Sequence, residues 1–172
     1  MLPRTRYLYE LDEVQRLLCQ LADAVDGMLA RALRAFRDNN TGTARDTLRI
    51  DDEIDDRCYD LEERVISIIA AQQPVATDLR FLMAAIQVAT ELERIGDYAH
   101  GIATLVIRNS DVPVVPLPEQ LSQLVDVVRT MLRDSVAAFI DRDPDAADHF
   151  HRIDDKADAL FATILNLSLI HI

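Results

Sequence analysis

Two pairs of carboxylates have a spacing that could do chemistry. Glu93 and Asp97 lie four residues apart in Glu91-Leu92-Glu93-Arg94-Ile95-Gly96-Asp97, so on a helix they stack on one face. At about 100° per residue, both point within roughly 20° of the direction of Ile86. That places two acids on a core-facing or groove-facing stripe, where an uncompensated pair is costly. Basic side chains, a shared proton or a hard cation would each relieve it. Asp51 and Asp55 repeat the spacing on the preceding helical segment, with Glu62 on the same flank two turns on. Four carboxylates from two adjacent helices form an oxygen-rich set suited to a metal ion. The competing reading is a solvated acidic flank, with Arg49, Arg57 or Arg94 as ion-pair partners.

Other chemistry is poorly supported. His149 and His151 are two residues apart and diverge on a helix, so they do not chelate. Asp97-Tyr98-Ala99-His100 has the carboxylate-x-x-His spacing of di-iron bundles. A di-iron site needs that motif twice, and the second candidate, Asp148 to His151, lies off the apolar stripe of its helix. A ferritin-like di-iron carboxylate enzyme is therefore kept as the alternative function. The chain has no Gly-x-Ser-x-Gly elbow, Walker loop or dinucleotide fingerprint, so no enzyme is expected. Its two cysteines, Cys19 and Cys58, both sit in helical patterns and indicate no disulfide scaffold.

The elements that must carry these residues are helices. The 172-residue chain has a net charge of −12, 49% hydrophobic residues, only 4 Gly and 6 Pro, and no Trp. That balance excludes disorder and a turn-rich β fold, and it opposes binding to nucleic acid or an anionic membrane surface. The N-terminus has no apolar signal core and no uncharged run reaches a membrane span, so a soluble, cytoplasmic protein is expected. Leu11, Val14, Leu18, Leu21, Val25, Met28, Ala32 and Ala35 step three and four residues at a time, the seam of a long bundle helix. Asp38 to Gly42 reads as a loop. A second helix follows from about Thr43 to Ala71, and Pro74 separates it from a third, about Ala76 to Asn109. The third is apolar nearly all round and should be packed on several sides. Pro113, Pro116 and Pro118 form a linker. A fourth helix runs from about Pro118 to Asp141, and Asp143-Pro144 reads as the cap and first residue of a fifth.

An internal repeat organises the chain. Shifted by 103, residues 21–65 align without a gap on 124–168, with 14 identities over 45 positions. The block Arg49-Ile50-Asp51-Asp52, with Asp55, matches Arg152-Ile153-Asp154-Asp155, with Asp158. The unit is three helices, and the second copy contains two, so residues 1–112 form a first repeat and 117–172 a partial second one. Apolar residues of the partial copy, including Leu124, Val128, Met131, Phe139, Ile153 and Ile164, lack a third helix to cover them. Self-association as a homodimer is the expected remedy.

Three blocks in order resemble the PhoU family of phosphate-transport regulators. They are Ile50-Asp51-Asp52-Glu53-Ile54-Asp55, the run Gln73-Pro74-Val75-Ala76-Thr77-Asp78-Leu79-Arg80, and Leu92-Glu93-Arg94-Ile95-Gly96-Asp97-Tyr98-Ala99. The resemblance implies an all-α fold of tandem three-helix bundles, here with the second bundle lacking its third helix through C-terminal truncation. It implies Glu/Asp-x-x-x-Asp motifs that bind metal on the outer bundle surface. Asp51, Asp55, Glu93 and Asp97 match in the first repeat, and Asp154 and Asp158 in the second. Iron, zinc, manganese and magnesium all remain open as the metal. It also implies a cytoplasmic negative regulator of phosphate uptake and of the phosphate-starvation response. Its partners would be the ATPase of a phosphate ABC transporter and a phosphate-sensing histidine kinase.

Overall fold

The computed structural model describes residues 3–112 and 116–170, with side chains for 5–112 and 116–167. Five helices account for nearly all of it: α1 (Pro3–Asp38), α2 (Thr41–Gln72), α3 (Ala76–Arg108), α4 (Glu119–Asp141) and α5 (Ala146–Ile170). They fall into two compact units, Met1–Val112 and Pro113–Ile172.

In the first unit each of α1, α2 and α3 packs on both others. The whole predicted seam of α1, from Leu11 to Ala35, is buried. Leu18, Leu21 and Met28 of α1, Ile54, Leu61 and Ile68 of α2, and Leu82 of α3 are among the largest fully buried side chains. Burial of this kind supplies the stability that helix propensity alone does not. Thr47 is also fully buried, and its Oγ1 donates to the Thr43 carbonyl at 2.8 Å, so no polar group is stranded there.

The α1–α2 connection is shorter than the sequence suggests. Asn39 takes a left-handed conformation, φ 45°. Its N–H donates to the Phe36 carbonyl at 3.4 Å, and the Asn40 N–H donates to that of Ala35 at 2.9 Å. This pairing closes the last turn of α1 and satisfies its terminal carbonyls. Asn40 then caps α2, its Oδ1 accepting from the Thr43 N–H at 2.9 Å. One asparagine ends a helix and the next begins one, so Thr41 and Gly42 are helical rather than loop. At the other end Gln73 is left-handed, φ 47°, and Pro74 prevents α2 from continuing. That turn is tied to α1 twice: Gln72 Nε2 donates to Glu10 Oε2 at 3.0 Å, and the Tyr7 hydroxyl donates to Asp78 Oδ2 at 2.9 Å.

The third helix departs from expectation on one side. Its inner face, Leu82, Ala85, Ala89, Leu92, Gly96, Ala99 and Ala103, is buried against α1 and α2. Leu79, Met83 and Leu105 are exposed, Met83 by 49%, so α3 is packed on two sides and open on the third. A three-helix bundle offers each helix only two neighbours, and the remaining apolar residues stay at the surface.

The second unit is a hairpin in which α4 packs on α5. Its turn copies the first: Arg142 is left-handed, φ 54°, and the Asp143 N–H donates to the Ala138 carbonyl at 3.0 Å, each 103 residues after its counterpart. The capping step differs. Asp143 Oδ1 accepts from the Asp145 N–H at 2.9 Å, a local turn that uses up the side chain. The fifth helix therefore starts at Ala146, and Pro144 is not its first residue. Among the described residues of this unit, only Val127, Leu132 and Val136 are buried. Leu124, Val128, Met131 and Ile164 stay partly or largely exposed, while their counterparts Leu21, Val25, Met28 and Leu61 are fully buried in the first unit. The difference is α3, which has no counterpart among the described residues of the second unit.

Gly96 of α3 faces Ile54 of α2 at the boundary between the two helices. A Cβ placed on it would lie 3.4 Å from Ile54 Cγ2 and 3.5 Å from Ile54 Cδ1, ordinary contact and no more. Gly96→Ala should therefore fit, and the gain in helix propensity, about 1 kcal/mol, should raise the melting temperature. Gly96→Leu should overpack the contact and cost about 1–3 kcal/mol. Thermal melts of the two variants check both signs.

Candidate functional site

The Ile54–Gly96 contact lies at the centre of the candidate site. Asp51 and Asp55 flank Ile54 on α2, and Glu93 and Asp97 flank Gly96 on α3. The packing of α2 on α3 brings one acid of each pair, Asp55 and Glu93, into the same outer cleft. Their charges act on each other across it. Burial first, and then Asp51 and Asp97, push the Asp55 carboxyl above its ordinary value. Burial first, and then Asp97, Asp55 and Asp51, do the same to Glu93, against a small opposing pull from Arg94. All four sequence-predicted acids of the first repeat thus share one electrostatic field.

The arginines expected to neutralise them point elsewhere. Arg94 pairs with Glu91 at 3.0 Å and Arg49 with Asp46 at 3.1 Å, each within its own helix, and Arg57 is exposed. The group that does reach in is His100, whose Nδ1 lies 2.7 Å from Asp51 Oδ2 across the α2–α3 boundary. The Asp97-x-x-His100 spacing thus serves an interhelical pair. With Asp97 exposed, it does not form an inward-facing di-iron ligand set of the kind a ferritin-like bundle builds in its core.

Next to the acids lies an open cleft of about 260 Å³, lined by Asp55, Cys58, Tyr59, Glu62, Thr90 and Glu93. Cys58 had no assigned role in the sequence. Burial, then Glu62, Glu93 and Asp55, push its thiol up to about 11. A usable signal was present: Cys58 follows Asp55 by three and precedes Glu62 by four, so the three share one face of α2.

Oxygen donors from two helices, under mutual repulsion and with little cationic compensation, fit a hard or borderline metal ion in chemistry. Their placement is looser than a finished site. Among the described residues, no three Asp, Glu, His or Cys side chains converge closely enough to hold one ion. Asp154 and Asp158 occupy the matching positions on α5, both exposed, with no counterpart of Glu93 and Asp97 opposite them among the described residues.

The PhoU domain matches residues 18–106 and 121–172. The chain belongs to the PhoU family. It is 30% identical over 165 residues to a phosphate-specific transport system accessory protein PhoU homolog of Clostridium acetobutylicum, covering 94% of this chain and 75% of that one. The PhoU crystal structure from Pseudomonas aeruginosa superposes with a TM-score of 0.87 at 26% identity, over 96% of this chain and 79% of that one. The phosphate transport system regulatory protein PhoU from Streptococcus pneumoniae gives 0.83 at 25% identity, over 92% and 74%. The all-α bundle architecture expected from the sequence is that of these PhoU structures. Among the described residues, no helix is long and apolar enough to cross a membrane.

The raised carboxyls carry a pH signature. A carboxyl whose folded value lies above its unfolded one binds protons more tightly when folded, so its repulsion weakens the fold above that value and fades as pH falls through it. In the presence of a chelator, Asp55→Asn and Glu93→Gln should each melt above the unsubstituted protein near neutral pH. The gap should close as pH falls into the carboxylate range, about pH 4. Melting curves across that range check the sign.

Proposed function

We propose that this chain is a regulatory accessory component of a phosphate-specific transport system. It restrains phosphate uptake and the phosphate-starvation response through protein contacts, with the ATPase of the transporter and a phosphate-sensing histidine kinase as partners. The observation that carries this reading is the correspondence with PhoU proteins in fold and in sequence, over 94–96% of this chain and 75–79% of theirs. The cytoplasm is where those partners would be met, and a net charge of −12 argues against nucleic acid as a partner. A surface built of long helix faces suits docking to other proteins.

In this reading Asp51, Asp55, Glu93 and Asp97 hold a metal ion in the α2–α3 cleft. Bound there, the ion supplies positive charge and open coordination positions. The protein residues do the rest: Ile54 on Gly96 sets the spacing of the two acid pairs, and His100 orients Asp51. Iron, zinc, manganese and magnesium are each compatible with oxygen ligands. Asp154 and Asp158 would serve a second such site only with acids supplied opposite them. The half-covered face of the second unit suits self-association as a homodimer.

Metal analysis of the purified protein tests the site. Glu93→Ala combined with Asp97→Ala should lower the bound metal, and equal content in both proteins would count against it. Capture from cell extract tests the partners: the transporter ATPase and the kinase should be recovered, and recovery of neither would refute the regulatory reading. Light scattering should report a species above 19.4 kDa, which Val128→Lys should disperse.

A further inference from the structure

The two interhelical turns share a backbone design and carry opposite charge. Residues 31–49, around the α1–α2 turn, hold five arginines against two aspartates, a net +3. The repeat sets residues 134–152, around the α4–α5 turn, in the same positions, and these hold two arginines against five aspartates, a net −3. Arg31 corresponds to Asp134, Arg45 to Asp148, Asn40 to Asp143 and Gly42 to Asp145. Every charged residue of both stretches is exposed. From Arg31 to the end of α1 is about 10 Å at 1.5 Å per residue, close to the Debye length of about 8–10 Å. The charges of each turn therefore act together.

Neither set is neutralised within its own unit. Arg37 pairs with Asp38 and Arg49 with Asp46, each inside its own helix. Among the described residues, the side chains of Arg31 and Arg45 make no hydrogen bond or ion pair, and neither do those of Asp134, Asp141 and Asp148. The chain carries −12 in all, so −15 lies outside the basic stretch. A long polyanion approaching the α1–α2 turn would be repelled by the rest of the molecule. A compact acidic surface would not, and the α4–α5 turn is one of matching size. The basic turn adjoins the start of the linker, with Asn39 Nδ2 donating to the Ser110 carbonyl at 3.5 Å. The acidic turn lies at the end of α4 farthest from the linker, roughly 35 Å along that helix. This favours a second copy over the same chain as the source of the acidic turn.

We propose that the basic α1–α2 turn of one copy docks on the acidic α4–α5 turn of a second copy. The contact is separate from the apolar face of α4 and α5 and stands without it. All five cations of the basic turn are arginine, whose planar fork grips a carboxylate through two parallel hydrogen bonds. Contacts of this kind govern specificity and association rate more than affinity, and salt weakens them.

Charge exchange in the full chain tests this, with light scattering and sedimentation as readouts. Self-association should weaken as salt rises from about 0.01 to 1 M, over which the Debye length falls from roughly 30 to 3 Å. At low salt, Arg31→Glu with Arg45→Glu should weaken it about tenfold or more, and Asp134→Arg with Asp148→Arg should do the same. Mixing the two variants should restore it. The untouched acidic turn of the first then meets the untouched basic turn of the second, and the exchanged turns meet with signs reversed. Recovery in the mixture also shows that both variants are folded. Val128→Lys, directed at the apolar face, should leave the low-salt association in place. Association indifferent to salt and to both exchanges overturns the proposal and leaves the apolar contact standing. A mixture that fails to recover overturns it too, and a monomer at every salt overturns both contacts. Binding of phosphatidylserine vesicles or a polynucleotide through Arg31 and Arg45, by a chain that stays monomeric, makes a polyanion the occupant and overturns it.

Discussion

The closeness of α2 to α3 depends on Ile54 resting against Gly96. A side chain much larger than alanine's at position 96 would press on Ile54 and disturb the spacing of the carboxylates that flank this contact. With the helices this close, Asp55 and Glu93 line one cleft, and burial, then the neighbouring acids, pushes up the proton affinity of both. Glycine inside a helix is unfavourable by about 1 kcal/mol relative to alanine. Local helix stability is given up at the point where the candidate site is built.

The rest of the first unit holds that contact in place. The buried seam of α1 forms the floor on which α2 and α3 lie side by side. At one end the helix link of Asn39 and Asn40 is only two residues long, and the neighbouring core is Ala35, Ala44, Ala103 and Val106. At the other end Glu10 and Tyr7 tie α1 to the Pro74 turn through Gln72 and Asp78. Anchors at both ends limit how far α2 and α3 can slide, so the register that pairs His100 with Asp51 is a property of the whole bundle.

The second unit shows what the same local design does without a third helix. Arg142 and Asp143 repeat the Asn39–Asn40 helix termination, and α5 repeats the acid spacing of α2. Yet Phe161 and Leu165 remain 53% and 47% exposed, and Asp154 and Asp158 have no acid pair facing them among the described residues. Burial and the candidate site both come from the third helix of the repeat.

Much of this was legible in the residues alone. The three-and-four spacing of the α1 seam dictates which face is buried. The repeat of Arg49-Ile50-Asp51-Asp52 dictates that the two hairpins share a design, and the i, i+4 acid pairs dictate which carboxylates lie together on one helix. Periodicity fixes direction around a helix axis but says nothing of what stands opposite. The pairing of His100 with Asp51, the turning of Arg49 and Arg94 to acids of their own helices, the opening of Cys58 into the cleft and the exposure of Met83 were all decided by packing. Each depends on the rotation and spacing of α2 against α3, which arise only when all three helices compete for the same core.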